Sequence, residues 1–104
     1  MTDTLHLTLH RKWFDEILSG KKKIEYREIK PYWTKRLFNS DGSRKSYTKI
    51  IFKNGYSKNA PEMTVELKGI EKKDEYGLLL GEIIETKNVD GRVQIVRILL
   101  SQRK

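Results

Sequence analysis

The stretch Gly20-Lys21-Lys22-Lys23-Ile24-Glu25-Tyr26-Arg27 lies between a helical pattern and a second group of basic and aromatic residues. Successive side chains of a β-strand point to opposite faces, so a strand here places Ile24 and Tyr26 on one face. Lys23, Glu25 and Arg27 then form a row of ionisable groups on the other face. Such a row either faces water, as on an edge strand whose charges discourage aggregation, or lines a site. The alternation of side chains along the strand does not decide between these two interpretations.

Before this stretch, an alternating segment gives way to a helical one. Residues 4–9 alternate leucine with polar residues, which is typical of a half-buried strand. In residues 11–19 the apolar residues recur at helical spacing, and we expect Trp13 to pack beside Ile17. Gly20 then ends the predicted helix, because glycine readily adopts the positive φ that helix termini require.

After the stretch, turn residues separate further short elements. Residues 21–29 are predicted as the second strand, and Pro31 begins a second helix at 31–38 because proline suits the first helical turn. The remaining strands are predicted at 47–53, 62–70, 78–87 and 92–100, the last two as a hairpin through Asp90-Gly91. Six strands with two short helices near the N-terminus predict an α+β fold, a small mixed β-barrel forming one domain over residues 1–104.

Composition limits the class of protein. The chain has 104 residues, of which 37% are apolar, 35% are charged and none is cysteine. Its ten aromatic residues argue for a folded domain with a thin core, and the absence of cysteine excludes disulfides and thiolate chemistry. No apolar run is long enough to span a bilayer, and the first residues do not resemble a signal peptide. We therefore expect a cytoplasmic protein that does not bind membranes.

The charge is unevenly distributed. The net charge is +8, and residues 1–60 hold 14 Lys and Arg against 6 Asp and Glu, whereas residues 61–104 hold eight of each. A one-sided excess of cations favours a polyanionic partner such as RNA, because lysine and arginine displace counterions from phosphates. The alternative is that the charge serves solubility alone.

Metal and cofactor chemistry is poorly supported. His6 and His10 are the only histidines, and on one strand they stand about 13 Å apart, too far to bind one ion. We find no glycine-rich phosphate loop and no nucleophile motif, so we expect neither a metal nor a cofactor.

The candidate chemistry therefore rests on Lys22, Glu25 and Arg27. Glu25 and Arg27 are two residues apart on a strand, close enough to pair. Lys22 precedes the strand and could reach the same cleft, where a partly desolvated lysine could act as a base or nucleophile with Glu25 orienting it.

Two neighbouring segments mix aromatic and basic residues, as surfaces that bind single-stranded nucleic acid often do. In the first, Lys30 precedes Trp33, which either stacks on a base or packs beside Leu37. In the second, Asn54 and Tyr56 could contact a ligand, although the turn alone could explain Asn54. With Lys23 and Arg27, these four residues complete the candidate ligand-binding set.

Several motifs together resemble the ASCH domain, a PUA-like family, and in particular a small bacterial and phage-associated branch of it. The resemblance covers residues 4–70 and rests on the helix ending at Gly20, the Lys-x-x-Glu-x-Arg run of residues 22–27, Lys30-Pro31-Tyr32-Trp33 and Phe52-Lys53-Asn54-Gly55-Tyr56. From Glu71 onward the chain lacks features of the closest relatives. The resemblance implies a PUA-like pseudo-barrel with a cleft beside the first helix.

The resemblance also implies a binding function and a hydrolytic one, and a third hypothesis stands apart from it. The family is associated with RNA binding, RNA metabolism and modified nucleosides, so the leading hypothesis is a basic cleft for RNA, a nucleotide or a nucleoside. Some ASCH members hydrolyse acylated cytidine with a lysine, a threonine and a glutamate, and others are reported as ribonucleases. Lys22 matches that lysine, but Glu25 stands at the threonine position, which weighs against the amidohydrolase mechanism. A protein-interaction module of a mobile element is the third hypothesis.

Overall fold

The computed structural model describes residues 3–89, which form two helices and five strands. In chain order these are β1 (Thr4–Thr8), α1 (Arg11–Leu18), β2 (Ile24–Arg27), α2 (Pro31–Leu37), β3 (Lys49–Lys53), β4 (Glu62–Lys72) and β5 (Tyr76–Lys87). No helix within the described residues has the length and apolar character needed to cross a membrane.

The five strands form one mixed sheet in the order β1-β3-β4-β5-β2. β1 runs parallel to β3, and the other neighbouring strands are antiparallel. The register between β4 and β5 shifts at three places between Thr64 and Gly69, and such irregularities bend and twist a sheet. The sheet curls into a half-barrel with β1 and β2 at opposite edges, which confirms the predicted α+β class.

The core lies on the inner side of this curled sheet. Alternation buries Leu5 and Leu7 of β1, as the sequence predicts, together with Ile50 and Phe52 of the neighbouring β3. The α1 helix covers these strands with three buried residues, Phe14, Ile17 and Leu18. Leu37 anchors α2 in the same core.

The junction from α1 to β2 is tightly hydrogen-bonded. Gly20 has a φ of +82°, as predicted for the residue that ends the helix. The Gly20 amide donates to the Ile17 carbonyl at 3.0 Å, and the Lys22 amide donates to the Glu16 carbonyl at 3.1 Å. Lys22 is therefore fixed to the end of the helix rather than to the sheet.

Several predicted boundaries were wrong. β2 is limited to Ile24–Arg27 because its partner β5 begins at Tyr76, which pairs with Arg27. β4 and β5 extend toward each other beyond the predicted ends and are joined by a short turn at residues 73–75. The predicted sixth strand at 92–100, and the hairpin with it, lie outside the described residues.

Candidate functional site

A cleft of about 600 Å³ lies between the two edges of the curled sheet. It is bounded by the end of β1, by α1, by β2 and by α2, and its lining consists of Thr8, Leu9, His10, Trp13, Lys22, Glu25, Tyr26, Arg27, Glu28, Trp33 and Glu75. Ligand-binding clefts in proteins commonly have volumes of roughly 300–1,000 Å³. The cleft is therefore large enough for a small aromatic ligand such as a nucleoside.

An ion triad lies within this lining. Glu25 is the only charged residue among residues 3–89 that is buried, with 4% of its surface exposed. Its Oε1 atom lies 3.2 Å from Lys22 Nζ, and its Oε2 atom accepts a hydrogen bond from Arg27 Nη1. Each carboxylate oxygen of Glu25 thus contacts one cation. The structure brings together the three residues on which the sequence-based chemistry rests.

Aromatic rings flank the triad. Lys22 Nζ lies 4.8 Å from the centre of the Trp13 ring and 5.5 Å from that of Tyr26. On the other side of Glu25, Arg27 Cζ lies 5.0 Å from the centre of the Trp33 ring. These cation–π contacts hold both cations against aromatic walls.

Two further cations support the tryptophans from outside the cleft lining. Lys12 Nζ lies 4.7 Å from the Trp13 ring centre, and Arg36 Cζ lies 5.1 Å from that of Trp33. Arg36 Nη2 also donates a 2.8 Å hydrogen bond to the carbonyl of His6, so it ties α2 to the free edge of β1. Trp33 is therefore in contact with a residue that also links α2 to β1.

Carboxylates stand at one end of the cleft. Glu28 directly follows and Glu75 directly precedes the last paired residues of β2 and β5, Arg27 and Tyr76. Glu28 forms an exposed ion pair with Lys30 at 2.9 Å, whereas the Glu75 carboxylate makes no ion pair or hydrogen bond within residues 3–89. The lining thus holds three carboxylates and two cations.

This count corrects the prediction of a basic cleft. Most of the excess positive charge of residues 1–60 lies outside the lining, to which that part of the chain contributes only two of its 14 Lys and Arg residues. The reason is local: each cation inside is matched to Glu25, while exposed cations need no partner because water solvates them.

The remaining predicted binding residues divide between two other places. Lys23 is exposed and lies outside the lining of the main cleft; it lines a second groove between the end of α1 and the middle of β5. Lys30 is exposed and lies outside the cleft lining, although it pairs with Glu28 of the lining. Trp33, in contrast, lies in the cleft lining, as stacking on a base requires, and it also packs against the hydrophobic core, as the packing alternative predicts.

Asn54 and Tyr56 line a smaller groove of about 250 Å³ that shares Thr8, Leu9 and His10 with the main cleft. Asn54 Nδ2 donates to the Leu9 carbonyl at 3.1 Å, so its amide fixes the turn to the end of β1. Tyr56 is 91% exposed. The structure does not place either residue in the lining of the main cleft.

Sequence reasoning missed three contributors to the site. The sequence predicts that Trp13 packs beside Ile17 on the helix, yet it is 39% exposed and lines the cleft. Tyr26 was placed on the face opposite Glu25, yet its ring also lines the cleft and lies near the backbone of Gly77, which has no side chain to displace it. No local sequence pattern predicts Glu75 as a site residue, because its position at the cleft depends on the pairing of β5 with β2.

Within residues 3–89, no group of three or more His, Asp or Glu side chains is arranged to hold a metal ion. Comparisons with protein-family models, curated proteins and solved structures found no match to this chain.

Proposed function

We propose that the cleft binds RNA or a nucleotide by enclosing one base between its aromatic walls. The observation that carries this proposal is the Lys22–Glu25–Arg27 triad, which holds two cations beside Trp13 and Trp33. Proteins that recognise unpaired bases commonly combine stacking on aromatic or guanidinium planes with polar groups at the base edge.

The triad leaves hydrogen-bond donors for a ligand. The Lys22 ammonium has three donors, and one of them is directed at Glu25. Arg27 uses Nη1 for Glu25 and for the Tyr26 carbonyl, so its Nε and Nη2 groups make no hydrogen bond within the described residues. A base carbonyl or ring nitrogen could accept from these groups.

The fold is compatible with a finer assignment to the PUA-like class and its ASCH branch. The cleft lies beside α1, where the motif resemblance predicts it, and it contains Lys22 and Glu25 from the quoted motif. Association with RNA metabolism in the cytoplasm follows as part of the same proposal.

Both tryptophans of the chain line the cleft, so intrinsic tryptophan fluorescence reports on the site without a label. We expect short single-stranded RNAs to change this fluorescence in a saturable manner at low salt. Absence of any change, with no binding by calorimetry, would end the proposal.

The Arg27→Ala variant tests the role of the triad in binding. It removes donors and a stacking plane from the cleft, so we expect RNA affinity to fall about tenfold. Lys68→Ala is the matched control, because Lys68 is an exposed cation of β4 outside the cleft lining. Equal affinities of both variants and the unaltered protein would show that binding occurs elsewhere.

A hydrolytic function is the second candidate, favoured by the 3.2 Å contact between Lys22 Nζ and Glu25 Oε1 inside the cleft. In this alternative Lys22 activates water for attack on an acylated nucleoside or on RNA, and Glu25 takes part in proton transfer. Because Glu25 is also held by Arg27, the geometry supports binding better than proton exchange.

Turnover decides between the two candidates. Purified protein is incubated with acylated cytidines and with RNA, and the products are followed by chromatography. Hydrolysis that Lys22→Ala abolishes supports the enzyme, whereas hydrolysis that persists in the variant excludes this role for Lys22. Capture of an acidic protein without any binding of RNA would instead support the interaction module.

A further inference from the structure

The polar groups of the cleft are arranged asymmetrically. Lys22 and Arg27 offer hydrogen-bond donors on the two sides of Glu25, whose oxygens are both occupied. Glu75 offers acceptors at the end where β5 begins, and its carboxylate is not committed to another group of residues 3–89. A ligand that fills the cleft must therefore accept hydrogen bonds at one edge and donate them at another.

Among the common bases, guanine meets this requirement best. Its O6 and N7 atoms are adjacent acceptors, and arginine or lysine paired with them is the commonest specific base contact. Its N1–H and N2–H₂ groups are adjacent donors that suit a carboxylate. Uracil and adenine present one donor group flanked by acceptors, and cytosine presents a single amino donor.

We infer that the cleft is selective for guanine, with Lys22 and Arg27 donating to O6 and N7 and with Glu75 accepting from N1 and N2. The inference rests on the proposed function, since it names the base that the same cleft encloses. In this arrangement the planar purine stacks on the tryptophan rings, and the phosphates stay outside, away from the three carboxylates of the lining.

Free nucleosides test the inference without a contribution from phosphate. We expect calorimetric titration to give guanosine the tightest binding of the four common nucleosides. Inosine lacks the N2 amino group and 7-deazaguanosine lacks the N7 acceptor, so each loses one of the two hydrogen-bonding groups at one edge. Each analogue should bind about tenfold more weakly than guanosine.

Variants test which residue binds each edge of the base. Glu75→Gln should weaken the binding of guanosine about tenfold. It should weaken the binding of inosine less, because inosine already lacks one of the donors from which Glu75 would accept a hydrogen bond. Glu85→Gln is the control, since Glu85 is an exposed carboxylate of β5 outside the cleft lining. Arg27→Lys should reduce the preference for guanosine over 7-deazaguanosine.

The outcomes separate this inference from the proposed function. If the four nucleosides bind with equal affinity, guanine selectivity is overturned while base binding stands. If Glu75→Gln leaves the affinity for guanosine unchanged, the role of Glu75 is overturned. If neither nucleosides nor RNA bind, both fail. A guanosine preference that Glu75→Gln reduces and Glu85→Gln leaves intact supports the assignment.

Discussion

At the scale of single residues, the burial of Glu25 is the most consequential feature. Removing a carboxylate from water is costly unless its oxygens are matched, and here each oxygen contacts one cation. Lys22 and Arg27 are themselves mostly shielded, with 16% and 17% of their side chains exposed. The three residues therefore depend on one another.

Glu25→Ala should lower the free energy of unfolding by about 3 kcal/mol, because it leaves two shielded cations without their shared partner. Urea denaturation measures the loss. Glu85→Ala, on an exposed site, should change stability by less than about 0.5 kcal/mol. A loss for Glu25→Ala as small as that of the control would contradict the triad.

Trp13 illustrates how one side chain can serve two patterns. It continues the apolar arc of α1, yet it is the member of that arc that contacts two lysines and faces the cleft. The sequence shows which residues form the apolar face of α1, but not which side of that face the sheet leaves uncovered.

Trp13→Ala should weaken RNA binding by about 1–3 kcal/mol, the usual contribution of one stacking side chain. Tyr56→Ala removes an aromatic residue from the neighbouring groove and should leave the affinity nearly unchanged. Fluorescence anisotropy of a labelled RNA measures both. A larger effect of Tyr56→Ala would move the binding surface from the main cleft to that groove.

At the scale of elements, the junction between α1 and β2 positions the chemistry. The positive φ of Gly20 turns the chain, and the hydrogen bond that the Lys22 backbone amide donates to the Glu16 carbonyl fixes the backbone from which the lysine reaches the cleft. The motif made this junction predictable, because glycine after a helical pattern is a local signal. The length of β2 was not predictable, since it depends on where β5 begins.

Gly20→Ala should lower the free energy of unfolding by about 1–2 kcal/mol, the cost of a left-handed conformation for a residue with a Cβ atom. An added Cβ meets no atom within 4 Å, so the loss is one of backbone conformation alone. Gly20→Asn should lose less, because asparagine tolerates this conformation better. Thermal denaturation of both variants tests this difference, and equal losses of stability for Gly20→Ala and Gly20→Asn would contradict it.

At the scale of the whole molecule, most of the excess positive charge lies away from the cleft. The lining has nearly balanced charge, while most basic residues of the first 60 lie outside it. In the proposed function, phosphate attraction and base contact therefore belong to different parts of the surface.

RNA affinity should accordingly fall steeply with salt, whereas nucleoside affinity should change little, because only RNA phosphates release counterions. Titrations at about 50 and 200 mM salt measure both slopes. If nucleoside affinity fell as steeply as RNA affinity, the cleft itself would supply the electrostatic attraction.

The order of the strands marks the limit of what the sequence could predict. Lys22, Glu25 and Arg27 converge because they are close in sequence, so local periodicity was sufficient to group them. Glu75 joins them only through the pairing of β5 with β2, which no local pattern reveals. The two helices and the α+β class follow from periodicity, whereas the barrel is incomplete within residues 3–89.

The irregular pairing of β4 with β5 has a mechanical consequence. These strands form the middle of the sheet, and the cleft lies between its outer edges. The register shifts near Val65 and Leu67 set the curvature between these strands, so a substitution that changed this curvature would move the outer edges of the sheet. The distance between the cleft walls thus depends on residues outside the cleft lining. Substitutions at these positions can change the affinity for a ligand without contacting it.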